Sequence, residues 1–203
     1  MPYPKSERSA AQIVAAATRV LAAKGYARTS LLDIAREAGM SKGALHYHFP
    51  SKESLVSKVL ESALDTFAAR TLDVWARTPG DPMQALRSSV RELWLLRRNR
   101  TDEVAVVADL LAQSLYDPNL RPQIAAYYRF ASQQVNATLV PTLAALGLRT
   151  RVAPELVPRL LNALLDGLVM QHLVDDTAID TEEVLKAFDA IAFALIEPIP
   201  PQG

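Results

Sequence analysis

Residues 30–52, SLLDIAREAGMSKGALHYHFPSK, place three helix starts, two helix stops and a tight turn in one short span. Punctuation this dense rules out a long helix or a strand there and leaves two short helices joined by a turn. Ser30 is an N-cap with Asp33 three residues later, and Leu31, Ile34, Ala35 and Ala38 give the first helix an apolar side before Gly39 stops it. Ser41 caps the second helix, in which Leu45 and Phe49, one turn apart, form the buried seam. The opposite side carries Gly43 and Tyr47, flanked by Lys42, Ala44 and His46. Small, hydrogen-bonding and cationic groups therefore share the outer face.

That face suits the major groove of duplex DNA. A glycine inside so short a helix costs about 1 kcal/mol relative to alanine, which is reasonable where something must approach the backbone. Lys42 lies in a first helical turn, where a cation opposes the macrodipole. Arg28 precedes the Ser30 cap and Lys52 follows a further cap at Ser51, so three helix starts each hold a cation where folding alone favours an anion. Each misplacement is worth only about 0.3–1 kcal/mol and is tolerable on a solvated surface. Their joint occurrence points to an external anion, for which a DNA phosphate is the natural candidate. Charge is distributed accordingly. The whole chain is formally neutral, yet residues 1–52 carry eight basic and three acidic residues, a net +5, which leaves −5 on the remainder.

From about Arg8 to Leu60 the chain resembles the N-terminal domain of the tetracycline-repressor (TetR) family. The likeness is carried by Tyr26, Thr29, Ile34, Ala35, Gly39, Ser41, Leu45, Tyr47, Phe49 and Lys52, and most specifically by the run GALHYHFPSKESL, Gly43–Leu55. The resemblance implies a three-helix domain whose third helix enters the major groove, with the start of a fourth helix on phosphate. It implies phosphate contacts for Thr29, Tyr47 and Lys52, and base-edge positions for Lys42, Gly43, Ala44 and His46. With the flanking Arg28, Ser30, Ser41 and His48 these form the expected DNA-binding set. His46 departs from the tyrosine often found there, so base preference does not carry over.

Outside that span the pattern is helical almost throughout, and the fold class expected is all-α. The helices should run from about Ser9 to Lys24, from Ser51 toward Arg77, from Asp81 to about Arg98, and from Thr101 to near Tyr116. A long segment follows from Asp117 to about Leu146, which Pro141 should kink or shorten. Pro154 opens a helix to about Val174, and Asp180 with Glu183 makes a capping box for the last one, which ends before Pro198. No segment shows strand alternation, and irregular tails are expected around Pro2 and Pro4 and over 198–203. The expected division is a DNA-binding domain over 8–55 and a ligand-binding and dimerisation domain over 56–198.

Residues 156–174, LVPRLLNALLDGLVMQHLV, are apolar on nearly every side, so they need partners from two directions. The last helix shows one stripe of Val184, Phe188, Ile191 and Leu195 and another of Ala187, Ala190 and Ala194. Either these helices fill a monomer core or one side of each packs on a second copy. ALLDGL at Ala163–Leu168 resembles the dimerisation helix of choline-responsive, BetI-like TetR members, which favours a homodimer through Leu164, Gly167, Leu168, Gln171, Phe188, Ile191 and Leu195. A dimer reads an inverted-repeat operator in double-stranded DNA, which multiplies the specificity of one short helix.

The middle helices offer candidates for a small-molecule effector: Trp94, Tyr128, Gln134, Asn162, Asp166 and Met170. A few polar groups in an apolar bundle look like a pocket, although satisfied core residues look the same. An apolar or aromatic ligand with one polar or cationic end is expected, Asp166 being a possible counter-charge. Enzyme chemistry has little to build on. There is no cysteine, phosphate-binding glycine loop, nucleophile elbow or HExxH, and no catalytic residue, cofactor or metal ligand is assigned. His46 and His48 diverge on a helix, and His172 is expected as a solvated or hydrogen-bonded interface residue. The Ala-rich stretch after Ser9 is interrupted by Gln12 and Arg19, so it reads as an amphipathic helix rather than a signal peptide, and no run spans a bilayer. The expectation is a cytoplasmic, ligand-released repressor. The competing reading is a ligand-binding or scaffold helix bundle without operator-specific DNA binding.

Overall fold

A computed structural model describes residues 4–99, 101–177 and 179–200, with side chains from residue 6 onward. Its elements run α1 (Pro4–Lys24), α2 (Leu31–Glu37), α3 (Lys42–His48), α4 (Lys52–Arg77), α5 (Pro82–Arg98), α6 (Asp102–Ser114), α7 (Arg121–Ala145), β1 (Leu148–Thr150), α8 (Leu156–Val174), α9 (Thr181–Leu195) and β2 (Ile196–Pro198). Most helix starts are fixed by local hydrogen bonds that the sequence announces. Ser30, Ser41, Asp81, Thr101 and Asp180 each accept from the backbone N–H three residues on. At α4 the two serines reciprocate, Ser51 Oγ accepting from Ser54 N–H and Ser54 Oγ from Ser51 N–H.

Packing groups the chain differently from a cut at 55/56. One compact unit holds the described residues up to Thr66 together with α6 and the chain through Tyr127; the other holds Phe67–Asn99 and the described residues from Tyr128 on. In the first unit α1 packs on both α2 and α6. Ile13, Ala16, Ala17 and Leu21 from α1 meet a core that includes Ile34, Leu45, Leu55 and Leu110, all fully or almost fully buried. At about 1.5–3 kcal/mol per fully buried large aliphatic side chain, this core outweighs any single cap. Gln12 Nε2 also donates to the Ala38 carbonyl at the end of α2, at 2.8 Å.

In the second unit α5 packs on α8 and α9. Trp94 is fully enclosed, and Leu165, Val169, Val184 and Phe188 are buried. The Trp94 indole N–H donates to Thr181 Oγ1 at 3.1 Å, and Arg87–Asp189 and Arg91–Glu182 ion pairs also join α5 to α9. No helix among the described residues is long and apolar enough to cross a membrane.

Several elements differ from the sequence expectation. Helix α1 opens at Pro4 rather than Ser9, because proline suits a first helical turn and Glu7 complements the dipole there. Pro2 and residues 201–203 lie outside the described residues. Helix α7 begins at Arg121, since Asp117 accepts from the Asn119 N–H and holds the preceding residues in a turn. It then runs through Pro141, which has no N–H to offer the Ala137 carbonyl. The chain also forms a small antiparallel ladder, pairing Leu148 with Pro198, Arg149 with Glu197 and Thr150 with Ile196. Three-residue strands are too short for an alternation to show in sequence. Arg149 and Arg151 both pair with Glu197 across this ladder.

The Ser30 and Asp33 pair generates a prediction with a pH signature. Asp33 accepts from the Ser30 hydroxyl and N–H and pairs with Lys24, and these contacts, the Ser30 hydroxyl first, hold its carboxyl well below the usual carboxylate range. A depressed folded-state pKa contributes stability that is complete above the unfolded value near 4 and lost as pH falls toward the folded one. Ser30→Ala removes the N-cap acceptor and should cost about 1 kcal/mol at neutral pH in urea unfolding. The difference in melting temperature between wild type and Asp33→Asn, positive near pH 7, should shrink as pH drops below about 4. A difference independent of pH would remove Asp33 from the cap.

Candidate functional site

Helix α3 is held from beneath and free above. Ser41 Oγ accepts from Ala44 N–H at 3.1 Å, while Leu45 is fully buried and Phe49 is 6% exposed. Lys42, Gly43, Ala44, His46 and Tyr47 are exposed, Tyr47 to 82%. The half-buried His48 meets the Tyr47 ring edge-on at 5.2 Å. A Cβ built on Gly43 would meet only Ser41 Oγ, at 3.9 Å, so the chain's own packing does not require glycine. Lys42 makes no hydrogen bond or ion pair among the described residues. Ser30, exposed at the start of α2, keeps its N–H and hydroxyl on Asp33. The expected outer face of α3 is thus presented as one small, basic, backbone-accessible surface.

Three members of the expected DNA-binding set are engaged inside the protein. Thr29 is 4% exposed and its hydroxyl donates to the Gly25 carbonyl at 2.8 Å, so the hydroxyl is not free for phosphate. Arg28 Nε donates to the Lys24 carbonyl at 2.9 Å, where a cation complements the C-terminal end of α1. Lys52 donates to the Tyr26 carbonyl and sits 3.7 Å from the centre of the Tyr26 ring. The conflict of cation with helix start is therefore resolved internally for Arg28 and Lys52, and among the three it persists only at Lys42. Burial pushes the Lys52 ammonium below its ordinary pKa, against the opposing pull of Glu53, Asp109 and Asp117.

The structural role of Asp109 is not legible in the sequence. From α6 its carboxylate accepts the Tyr26 N–H and lies against Gly25, whose φ of 76° is the left-handed stop of α1. Tyr26 is thus gripped at both ends of its backbone, by an acid from α6 and by a cation from α4.

The effector candidates separate into two groups. Tyr128, Asn162 and Asp166 come together around Arg97, which the sequence reading did not single out and which is only 6% exposed. Arg97 donates to Asp166 at 3.2 Å and to Asn162 Oδ1 at 3.3 Å, and the Tyr128 hydroxyl donates to the other Asp166 oxygen at 2.8 Å. Asp166 already has its counter-charge, which overturns its expected role as a partner for a cationic ligand. Trp94, with no exposed surface, fills the core rather than lining an opening. Gln134 is exposed and Met170 is 45% exposed, so neither belongs to an inward row. His172, expected at an interface, is instead buried beside Trp94 with ring centres 6.2 Å apart, and its Nδ1 has no partner.

Among the expected dimer residues, Gly167, Gln171 and Ile191 are exposed and Leu164, Leu168 and Leu195 half-buried. Phe188 is 8% exposed and turned into its own unit, where it and Val184, two members of the bulkier α9 stripe, fill the core. The alanine stripe, Ala187, Ala190 and Ala194, is the outward one. It is accompanied by Val174 at 90% and Phe193 at 81% exposure, neither of which the apolar pattern singles out.

The chain is similar to known proteins in sequence and fold. The description "Bacterial regulatory proteins, tetR family" matches residues 13–59, and "BetI-type transcriptional repressor, C-terminal" matches residues 82–197, more than half of the chain. The transcriptional regulator AcrR of Shigella flexneri is 32% identical over 83 residues, 41% of this chain and 39% of that protein. The chain therefore aligns with well under two thirds of that relative's length. A TetR transcription regulator from Haloarcula marismortui shares the fold with a TM-score of 0.74 at 23% identity, over 94% of this chain and 100% of that one. A regulator from Saccharomonospora viridis, solved in complex with choline, has a TM-score of 0.67 at 24% identity over 94% and 99% of the two chains. With an exposed, capped α3 within one match and the α5, α8 and α9 packing within the other, the chain belongs to the TetR family of bacterial transcriptional regulators, with a C-terminal region of the BetI type.

Proposed function

We propose that the chain is a cytoplasmic, homodimeric repressor that binds an inverted-repeat operator through α3 and is released by a small-molecule effector. The observation that supports it most is the outer face of α3, where a cation at a helix start and an unforced glycine both gain from an approaching anion and backbone. Lys42, Gly43, Ala44 and His46 take the base-edge side. Tyr47 and Lys52 take phosphate, Lys52 by leaving the Tyr26 carbonyl, and Arg28, Ser30, Ser41 and His48 border the contact. Two copies meet through the exposed faces of α8 and α9, with Gly167, Gln171, Ile191 and the alanine stripe at the seam and Val174 and Phe193 beside them. An effector releases DNA only by binding the DNA-incompetent arrangement more tightly, so operator DNA must weaken effector binding by the same factor.

Specificity tests the first part. Ala at Lys42 or His46 should cost about 1–3 kcal/mol on the operator and less on random DNA. Equal losses on both would make the residue a backbone contact. Lys52→Ala should weaken operator and random DNA alike, with a salt slope smaller by about one ion. It should also lower the melting temperature of free protein, because the Tyr26 contacts go with it. An unchanged slope would leave Lys52 a purely internal residue.

Gly167 offers a clean test of the dimer. Nothing lies within 4 Å of a Cβ built there, so the single chain has room for a side chain. Gly167→Leu should keep the helical circular dichroism, move the sedimenting species to monomer and abolish tight operator binding. A variant that still sediments as a dimer would place the seam elsewhere.

A further inference from the structure

We infer that the effector subsite of this chain lies along the α7 stripe Tyr128, Ser132 and Asn136 and takes a neutral molecule with hydrogen-bond donors, not an organic cation. The inference rests on the effector reading above and gives it a chemistry. The three residues are spaced by four, so they share one face of α7. Its first member is spoken for, since Tyr128 donates to Asp166. The next two are not. Ser132 Oγ and Asn136 Oδ1 are sealed from solvent and have no hydrogen-bond partner. An unpaired oxygen enclosed by protein is a standing cost that the helix has no structural reason to carry twice in successive turns.

Charge weighs against the alternative suggested by the BetI-type match and the choline-bound neighbour. A quaternary ammonium needs an unclaimed carboxylate or an open aromatic face. Asp166 is closed by Arg97 on one oxygen and Tyr128 on the other. Trp94 has no exposed surface to offer. What the two oxygens lack is a donor each, because an amide oxygen only accepts and a hydroxyl accepts as readily as it donates. A ligand O–H or N–H pair spanning one helical turn, about 6 Å, would meet both. Access follows from Pro141, which leaves the Ala137 carbonyl without its backbone donor one residue after Asn136. The α7 ladder is therefore weakest beside the oxygens that a ligand has to reach.

The test uses the full chain and two probes, 4-hydroxybenzyl alcohol and choline, with thermal unfolding and operator binding as readouts. Without ligand, Asn136→Leu should raise the melting temperature by about 2–4 °C, because it removes a buried unpaired acceptor. Ser132→Ala should not lower it. The diol should raise the melting temperature of wild type and weaken its operator binding by about tenfold or more, and should do neither in Asn136→Leu. Choline should leave both readouts unchanged. A lower melting temperature for Asn136→Leu, no shift with the diol, or a response to choline would each overturn the inference. Failure of the repressor reading shows separately, as wild-type protein that binds no inverted-repeat DNA while the melting shifts persist.

Discussion

The unit that carries α1, α2 and α3 depends on how one residue is held at both its N–H and its carbonyl. Tyr26 follows the left-handed Gly25 that ends α1, and its N–H is taken by Asp109 of α6 while its carbonyl is taken by Lys52 of α4. Both bonds are charge-assisted, and each is partly buried, which strengthens it relative to a surface contact. Burial also raises the Tyr26 hydroxyl pKa, with Glu53 and Asp117 adding to the effect, so the ring under the Lys52 ammonium stays neutral. Three helices thus converge on the residue that launches α2. Thr29 tightens the same turn by bonding back to Gly25, and Ser30 then caps α2. The orientation of α3 follows from that fixed start and from Leu45 and Phe49 beneath it.

Much of this was legible in the sequence, and the part that was not is of one kind. Caps are local, so Ser30 with Asp33, Ser41, Thr101 and Asp180 announce their helices within four residues. The side of α3 that faces out follows from Leu45 and Phe49 alone. Asp109 and Arg97 escape such reading because their partners are distant in sequence: 83 residues separate Asp109 from Tyr26, and 69 separate Arg97 from Asp166. A periodic pattern contains nothing about either. Helix α9 fails for a different reason. Both of its stripes are apolar, and only the volume available inside its unit decides that Val184 and Phe188 turn in while the alanines turn out. The β1–β2 ladder is too short to carry a period at all.

The Arg97 network illustrates why a buried charge need not mark a binding site. Arg97 is enclosed, but its Nε, Nη1 and Nη2 donate to Asp166, the Leu93 carbonyl and Asn162, and its guanidinium lies 5.4 Å from the centre of the Phe67 ring. A pair satisfied to this degree specifies how α5, α7 and α8 register in their unit, although such pairs often add little net stability over an apolar filling. The polar row anticipated for a ligand was real as a row of residues. Its inner members were already committed to one another.

Beside the unpartnered Gln123 Oε1 and His172 Nδ1, a short set of local conflicts remains after the internal partners are counted. Arg28 and Lys52 began as conflicts and found partners within the protein. Lys42 at a helix start, Gly43 inside a seven-residue helix, Gly167 and the apolar outer faces of α8 and α9, and the unpaired oxygens of Ser132 and Asn136 found none. Sequences that fold to one state keep local and global preferences consistent except where function intervenes. The residual conflicts also differ in chemistry. One set wants an anion and close backbone approach, one wants apolar surface, and one wants hydrogen-bond donors, so no single partner could relieve all three. A nucleic acid, a second copy of the chain and a small neutral molecule are the three kinds of partner that match them, and they are the three that the ligand-released dimeric repressor proposed above requires.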